Sequence, residues 1–332
     1  MTIFERATGI IANRLFSFSE DPERKNEETI EKWKSNRRLG IGATDISAIV
    51  GLNPWKSQID VYMDKKGLTK DRSNEKMRWG SILEEPIAEE FSKREGVKIQ
   101  RVNAILQHKE IPYILTSLDR IILIGKGNKN NNGNGVLEIK TTGWGQAWEG
   151  GDIPEHYFIQ LQWELHITGL KWGKFATLIG GQELLITQEI KANEKMGKKL
   201  EMQAVKFWKE NIEKNIIPEP SSAADLESVK KIWDKDNGTT IEFEPDFERV
   251  LSTRKSCSSQ IKELEEKKKI LDAQILNKLG NNKYGNVGEY KVTKIIKEGR
   301  TVTQEKLKEK YIEIYNELAV NTKSVYAIIK KK

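Results

Sequence analysis

The order of the predicted secondary-structure elements favours an α/β or α+β fold with a mixed central sheet flanked by helices. Three observations support this prediction. Apolar residues recur at helical spacing over residues 75–95, strand-like segments fill residues 97–142, and a helix, a hairpin and a long helix follow. Strands that alternate with helices in this way build a sheet that the helices cover. A chain of 332 residues is long enough to bury such a core.

Capping and breaking residues set the boundaries of these elements. Thr44 or Asp45, at the end of a glycine-rich turn, is suited to cap the helix that follows, and Gly96 is suited to end a later one. Pro86 either lies early in its helix or marks a kink. We predict helices over residues 25–38, from 46 to a turn at 51–55, and over 57–66, 75–95, 154–168, 192–214, 247–279 and 304–310, and strands over 97–107, 112–124, 136–142, 171–179, 183–190 and in a hairpin at 283–296.

The chain divides at a segment rich in proline and serine. Residues 218–222 read Pro-Glu-Pro-Ser-Ser and interrupt the helical pattern. We therefore predict a core domain over residues 1–218 and a C-terminal extension, with helices and a small hairpin, over residues 219–332. The long helix of the extension carries spaced apolar residues and is suited to assembly or to DNA contact.

Composition excludes several classes of protein. No run approaches the ~18 apolar residues of a membrane span, and Glu5 and Arg6 stand where a signal peptide is apolar. We therefore expect a cytoplasmic protein with no membrane partner. The single cysteine, Cys257, excludes an internal disulfide and a cysteine-based zinc site. The formal charge of +7 permits an acidic partner without requiring one.

The predicted strand at 136–142 carries the residues most suggestive of catalysis. Because side chains alternate along a strand, Glu138 and Lys140 point to one face, while Leu137 and Ile139 point to the other and can enter the core. A carboxylate there can hold Mg²⁺, and the metal lowers the pKa of a bound water. The lysine can orient or polarise that attacking water.

One carboxylate does not make a magnesium site, and two further carboxylates are candidates for it. Asp119 lies near the end of the preceding strand and falls beside Glu138 if the intervening loop folds the two strands together. Glu84 lies on the 75–95 helix, and Gln160, on the next helix, can bond water, lysine or phosphate. An isolated Glu-x-Lys motif is better explained as an exposed, salt-bridged strand face. The ordered combination of these residues favours a site instead.

Five segments, in the same order, resemble the phage lambda-exonuclease/YqaJ-type viral recombinase family of the PD-(D/E)xK nuclease superfamily. Two positions depart from the family pattern, since Thr44 stands where serine is usual and Ala43 where glycine is usual. Both substitutions keep a small side chain, and Thr44 keeps the hydroxyl. The matching segments, which lie within a resemblance that covers about residues 30–215, are Arg37–Ile46, Gly51–Trp55, Trp79–Glu84, Leu137–Thr142 and Tyr157–Gln162.

The resemblance implies a role for each residue of the predicted site. Asp119, Glu138 and the backbone carbonyl of Ile139 are implied as ligands of Mg²⁺, for which Mn²⁺ can substitute. Glu84 is implied to assist a second metal or its waters. Lys140 is implied to assist the nucleophilic water.

Further positions carry implied roles in substrate binding. Gln160 is implied to support the catalytic lysine or the water. Arg38 and Thr44 match positions that bind phosphate, at the 5′ end of the strand being digested. Trp55 is a candidate for DNA contact, as are Trp144 and Trp148, which follow the catalytic strand.

The activity implied by the resemblance is a Mg²⁺-dependent exonuclease with a restriction-endonuclease-like core. It acts 5′ to 3′ on double-stranded DNA ends, releases 5′-phosphates and leaves a 3′ single strand for an annealing protein. A ring-like homo-oligomer such as a trimer, and a phage or prophage gene expressed in the cytoplasm of a bacterial host, are implied in the same way. Two alternatives stay open, an endonuclease of the same fold and an inactive DNA-binding or assembly protein.

Other polar residues are interpreted as structural. The three histidines, His108, His156 and His166, are too scattered in the sequence to suggest a metal site. Paired lysines such as Lys65 and Lys66 are interpreted as solvated helix faces.

Overall fold

The computed structural model describes residues 8–17, 27–69, 74–124, 133–143, 148, 152–223, 225–299 and 303–320. The chain separates into two compact units, Met1–Ile232 and Trp233–Lys332. Within the described ranges, no helix combines the length and the apolar character needed to cross a bilayer.

The first unit contains nine strands and seven helices among its described residues. The strands are β1 (Asn13–Ser17), β2 (Lys98–Arg101), β3 (Ala104–Gln107), β4 (Leu115–Thr116), β5 (Arg120–Leu123), β6 (Gly135–Thr142), β7 (Trp172–Ile179), β8 (Glu183–Ile186) and β9 (Ile190–Lys191). The helices are α1 (Glu27–Arg38), α2 (Ala43–Ile49), α3 (Gln58–Lys65), α4 (Glu75–Glu95), α5 (Glu155–Thr168), α6 (Glu194–Phe207) and α7 (Asp225–Ile232).

A mixed central sheet positions the candidate site. Its strand order is β2-β5-β6-β7-β8, with β9 paired to the start of β7. The β6 and β7 strands run parallel, whereas the β2–β5, β5–β6 and β7–β8 pairs are antiparallel. A parallel pair needs a crossover connection, and α5 provides it. A second sheet has the order β1-β3-β4.

Helices cover both faces of the central sheet, which confirms the predicted fold class. On one face Ile87 and Phe91 of α4 pack with Leu137 and Ile139 of β6. On the other face, α5 contributes residues such as Trp163 to the larger core. Since Leu137 and Ile139 are buried toward α4, the alternation of β6 turns Glu138 and Lys140 toward α5.

Several predicted boundaries were wrong for identifiable reasons. The segments 97–107 and 112–124 each contain two short strands, and each segment divides its strands between the two sheets. The predicted helix at 192–214 ends as α6 at Phe207 and continues as a π-helical segment, Trp208–Glu213. Pro86 lies in the interior of α4 and not early in it. The strand β1 and the helix α7 were not predicted.

The glycine-rich turn also caps its helix differently from the prediction. Helix α2 begins at Ala43 rather than Ile46, with Gly42 as the N-cap residue. Asp45 lies inside the first turn, where its Oδ2 accepts the backbone N–H of Gly42 at 2.9 Å. Neither Thr44 nor Asp45 is therefore the N-cap, although the Asp45 side chain closes the turn by accepting the Gly42 N–H from inside the first helical turn.

The second unit is built around one long helix. It comprises α8 (Phe247–Leu279), the antiparallel hairpin β10 (Tyr284–Val287) and β11 (Tyr290–Thr293), and the short helices α9 (Gln304–Lys310) and α10 (Ile312–Leu318). The predicted bounds of α8 and α9 are confirmed. Among the described residues of this unit, Leu279 is the one buried apolar residue.

Candidate active site

The register of β5 and β6 brings Asp119 beside Glu138. Arg120 pairs with Leu137, so Asp119, the residue just before the start of β5, falls opposite Glu138. The Oδ2 atom of Asp119 accepts a hydrogen bond from the backbone N–H of Ile139 at 2.8 Å. The β5–β6 ladder reaches only to Arg120, and beyond it the Asp119 side chain, instead of a backbone carbonyl, accepts the N–H of Ile139.

Lys140 lies at the centre of a cluster formed by β6 and α5. Its Nζ is 2.5 Å from Glu138 Oε1 and 3.3 Å from Gln160 Oε1. The Tyr157 ring lies 4.8 Å from the same Nζ, measured to the ring centroid. Gln160 Nε2 also donates to Glu138 Oε1 at 2.5 Å. The glutamine therefore joins the carboxylate and the lysine.

Burial and mutual charge shift the ionisation of these groups. Burial, followed by the nearby Glu138 carboxylate, raises the pKa of Asp119 to about 8. Burial alone lowers the pKa of the Lys140 ammonium, but the carboxylates of Glu138 and Asp119 outweigh it and raise that pKa. These carboxylates therefore favour the protonated form of Lys140, which can donate hydrogen bonds.

The donor set fits a hard divalent cation. Asp119 and Glu138 offer carboxylate oxygens, the ligands that Mg²⁺ prefers. The N–H and C=O of a strand residue point to the same side, so the Ile139 carbonyl faces the side on which Asp119 accepts its N–H. Burial, followed by the nearby carboxylates of Glu138 and Glu84, raises the pKa of Asp119, and a cation held there would favour the ionised form.

Glu84 reaches the site from α4 through ion pairs with arginine. Its Oε1 lies 2.6 Å from Arg120 Nη1 and 3.2 Å from Arg101 Nη2. Arg120 is buried and also binds Glu85 Oε2 at 2.7 Å. Glu84, Arg120 and Asp119 line one cavity of about 150 Å³. The fold thus brings Glu84 close to the predicted metal ligands, with its carboxylate paired to arginine.

Of the two predicted phosphate-binding residues, Thr44 lies near Gln160 and Arg38 does not line the same recess. Thr44 lines a recess together with Gln160 and Arg37. Arg38, the residue named from the sequence, directs its Nε toward Asp64 Oδ1 at 3.7 Å. Arg37 is therefore a further cationic residue next to this recess.

A buried ion-pair network supports the helix that carries Thr44. Asp45 is buried and contacts Lys56 Nζ and Lys65 Nζ, each at 2.6 Å. Burial opposes ionisation of Asp45, but the two ammonium groups outweigh it and lower its pKa. Only 2% of the Lys65 side chain is exposed, and Lys66 Nζ donates to the carbonyl of Ile212 at 2.7 Å. The interpretation of Lys65 and Lys66 as solvated lysines was wrong.

The tryptophans that were candidates for DNA contact have different environments. Trp55 is 69% exposed, and its ring meets His156 edge-on at 4.9 Å. Trp148 is buried against Tyr157 and Phe175, so it is a core residue and the suggestion that it contacts DNA was wrong. The prediction for Trp144 falls outside the described residues.

A second group of possible ligands lies apart from the acidic site. His108, His166 and Glu201 place their ligand atoms within 4.8 Å of one another, so the fold does gather two histidines that are distant in sequence. His108 Nδ1 accepts backbone N–H groups of Glu110 and Ile111 at 3.3 and 3.2 Å. Its ring proton therefore sits on Nε2, facing Glu201. This arrangement matches a hydrogen-bonded cluster better than a cation site.

Sequence reasoning missed three residues around the site. Arg120 and Glu164 are charged residues in the core, and no sequence pattern distinguishes them from exposed ones. Arg37 was quoted within a motif, but its neighbour was selected. The i, i+4 spacing of Gln160 and Glu164 was the one available signal, because it places both side chains on the same helix face.

Comparison with known proteins gives one relative that spans most of the chain. A model of the YqaJ-like viral recombinase domain matches residues 32–171. The YqaJ protein of Bacillus subtilis is 30% identical over 307 residues, covering 90% of this chain and 93% of that protein. Protein D345L of African swine fever virus is 29% identical over 68 residues, covering 20% of this chain and 19% of that protein.

Solved structures provide weaker similarities. The alkaline exonuclease LHK-Exo of Laribacter hongkongensis has a TM-score of 0.47 and 18% identity, covering 56% of this chain and 94% of that chain. A phage-related exonuclease of Haemophilus somnus has a TM-score of 0.38 and 12% identity, covering 53% of this chain and 96% of that chain.

Proposed function

The chain belongs to the YqaJ-like viral recombinase family, and on this premise we propose that it is a metal-dependent deoxyribonuclease acting on double-stranded DNA ends. One observation carries the proposal. Asp119, Glu138 and Lys140 converge at the middle of β6, and Gln160 bridges the last two. A salt-bridged surface strand, the competing explanation, does not bury its carboxylates, whereas Glu138 is 2% exposed.

The residues divide the work of phosphodiester hydrolysis. Asp119, Glu138 and the Ile139 carbonyl would hold Mg²⁺, or Mn²⁺ in its place, which would supply Lewis acidity to the phosphate and to the attacking water. The protonated Lys140 donates a hydrogen bond to the attacking water or to a phosphate oxygen. The water loses a proton to solvent as its oxygen bonds to phosphorus, the P–O3′ bond breaks, and the 3′ oxygen takes up a proton in return. The product carries a 5′-phosphate.

The polarity of digestion is part of the proposal. Thr44 and Arg37 line the recess beside Gln160, and Arg38 follows on the same helix. A 5′-phosphate held there, by cationic and hydroxyl groups, places the adjoining phosphodiester near the metal ligands. We therefore propose 5′-to-3′ digestion that leaves a 3′ single strand for an annealing protein. A ring-like homo-oligomer and DNA contact by Trp55 complete the proposal.

One assay tests activity, polarity and end dependence together. End-labelled linear duplex is incubated with Mg²⁺ or Mn²⁺, with and without its 5′-phosphate, beside a covalently closed circle of the same sequence. We expect mononucleotide release from the phosphorylated 5′ end, slower digestion of the dephosphorylated duplex and an intact circle. Rapid cutting of the circle identifies an endonuclease, and absence of cleavage with either metal identifies an inactive binding protein.

A further inference from the structure

Glu164 is a carboxyl group in the protein core, directly beneath the site. It lies one helical turn after Gln160 on α5, so the two side chains share a face of the helix. It has no exposed surface, and its Oε1 lies 3.2 Å from Gln160 Nε2. A buried carboxyl is costly, and its retention at this position calls for a functional explanation.

The Gln160 amide is held on both of its sides. Its NH₂ group faces two carboxyl oxygens, Glu138 Oε1 at 2.5 Å and Glu164 Oε1 at 3.2 Å. Its carbonyl oxygen faces Lys140 Nζ at 3.3 Å. A flipped amide presents its oxygen to two acceptors and its NH₂ to an ammonium group, so the surroundings permit one orientation. Glu164 supplies the second of the two acceptors that enforce it.

We propose that Glu164 is a positioning residue of the cleavage site, which orients the Gln160 amide so that its carbonyl oxygen aims the Lys140 ammonium. This inference rests on the proposed nuclease function. Glu164 does not touch the DNA or the metal in this arrangement. It acts through Gln160, and its contribution is to the placement of Lys140.

A purely structural role does not account for the same group. Within the described residues, Glu164 Oε2 is buried and has no hydrogen-bond partner. An unsatisfied buried oxygen destabilises a fold, so Glu164 lowers stability where an apolar residue would raise it. Burial and the nearby Glu138 also raise the pKa of Glu164, which agrees with a neutral acid at this position. Such a cost is typical of functional sites.

The two roles predict opposite changes in stability and activity. Glu164→Leu removes the unsatisfied oxygen and the second acceptor, so we expect an unchanged or higher Tm together with a kcat about 10- to 100-fold lower, at unchanged KM for DNA. Glu164→Gln keeps an acceptor oxygen and is expected to retain kcat within about threefold. The matched control is Gln162→Leu on the same helix, because Gln162 is also buried but binds the Lys191 carbonyl and the Asn193 N–H. This control is expected to lower Tm and leave kcat largely unchanged.

A double-mutant cycle separates action through Gln160 from a general disturbance of α5. In a Gln160→Ala background, Glu164→Leu is expected to have no further effect on kcat, because the amide that it orients is gone. The inference is overturned if Glu164→Leu retains wild-type kcat, if it lowers kcat equally in both backgrounds, or if Glu164→Gln is as impaired as Glu164→Leu. A wild-type protein without metal-dependent cleavage overturns the proposed function itself, which is a distinct result.

Discussion

The side chain of Asp119 accepts the backbone N–H of Ile139 at 2.8 Å, and this bond joins the residue just before β5 to the middle of β6. One carboxylate thus completes the ladder of the sheet and faces the proposed metal position. Structural and chemical roles of Asp119 can be separated, because asparagine also offers an oxygen to the Ile139 N–H.

We predict that the metal-free protein loses stability as the pH rises from about 4 to about 8. The folded-state pKa of Asp119 is raised to about 8, whereas an unfolded aspartate titrates at about 4. Between these values the folded state binds the extra proton, so the free energy of unfolding falls with rising pH and levels off above pH 8. Thermal unfolding in EDTA measures the slope, and Asp119→Asn should make it less steep, while the contribution of Glu164, whose pKa is also raised, remains. An equal slope in the variant contradicts the assignment to Asp119.

The same proton predicts how metal affinity depends on pH. Binding of Mg²⁺ or Mn²⁺ requires ionised Asp119, so we expect affinity to rise up to about tenfold per pH unit between pH 6 and 8. Calorimetric titration with Mn²⁺ in buffers of different ionisation enthalpy measures the released proton. Asp119→Asn should bind the metal more weakly, without this pH dependence. Proton release that persists in the variant assigns the linkage to another group.

We predict that Lys140→Ala abolishes Mg²⁺-dependent cleavage while binding of duplex DNA survives. The ammonium group is the cationic donor at the cluster of Glu138 and Gln160, and alanine removes it without adding bulk. A matched control is Lys174→Ala, since Lys174 lies on the neighbouring strand β7 but pairs with Glu95 of α4. Cleavage rate and filter binding of labelled duplex are compared for both variants. Cleavage by Lys140→Ala at the wild-type rate removes the lysine from the mechanism.

Arg120 is predicted to be the strongest stabilising contact of Glu84. Arg120→Ala leaves the Glu84 carboxylate near Asp119 without its buried partner, and we expect a loss of roughly 1–3 kcal/mol in the free energy of unfolding. Arg101→Ala removes the more exposed partner of the same carboxylate, and a change below about 1 kcal/mol is expected. Urea unfolding of the two variants gives the comparison. Equal losses in the free energy of unfolding for the two variants would mean that the burial of Arg120 does not strengthen its contact with Glu84.

Gly40 is predicted to be intolerant of any side chain. A Cβ at Gly40 meets the Tyr113 carbonyl oxygen at 2.5 Å and Leu115 Cγ at 2.7 Å, whereas a Cβ at Gly42 meets nothing nearer than 3.5 Å. We expect Gly40→Ala to cost roughly 1–3 kcal/mol and to weaken discrimination of 5′-phosphorylated ends, because it displaces the turn that leads to Thr44. Gly42→Ala serves as the control. A Gly40→Ala protein as stable as this control contradicts the close approach.

The sequence was sufficient for the class of fold and for the proximity of Asp119, Glu138, Lys140 and Gln160. Alternation along β6 correctly turned Leu137 and Ile139 into the core, and α8 has its predicted bounds. The burial of Lys65 and Arg120 could not be predicted from the sequence, because a charged residue is buried only when it pairs with an opposite charge from another part of the chain. Their partners, Asp45 and Glu84, lie next to them in the structure but far from them in the sequence. The division of segments 97–107 and 112–124 into two strands each was missed, because the alternation of apolar and polar residues continues where the chain passes from one sheet to the other.

The connection between β6 and β7 has a consequence for the order in which the site assembles. The β5–β6 pair joins neighbouring segments of the chain, whereas the parallel β6–β7 pair must wait until α5 has formed and docked. The contact of Asp119 with Ile139 depends on the β5–β6 pair, whereas the contact of Lys140 with Gln160 depends on the docking of α5. We expect a chain in which α5 has not docked to lack the Lys140–Gln160 contact while Asp119 still lies beside Glu138.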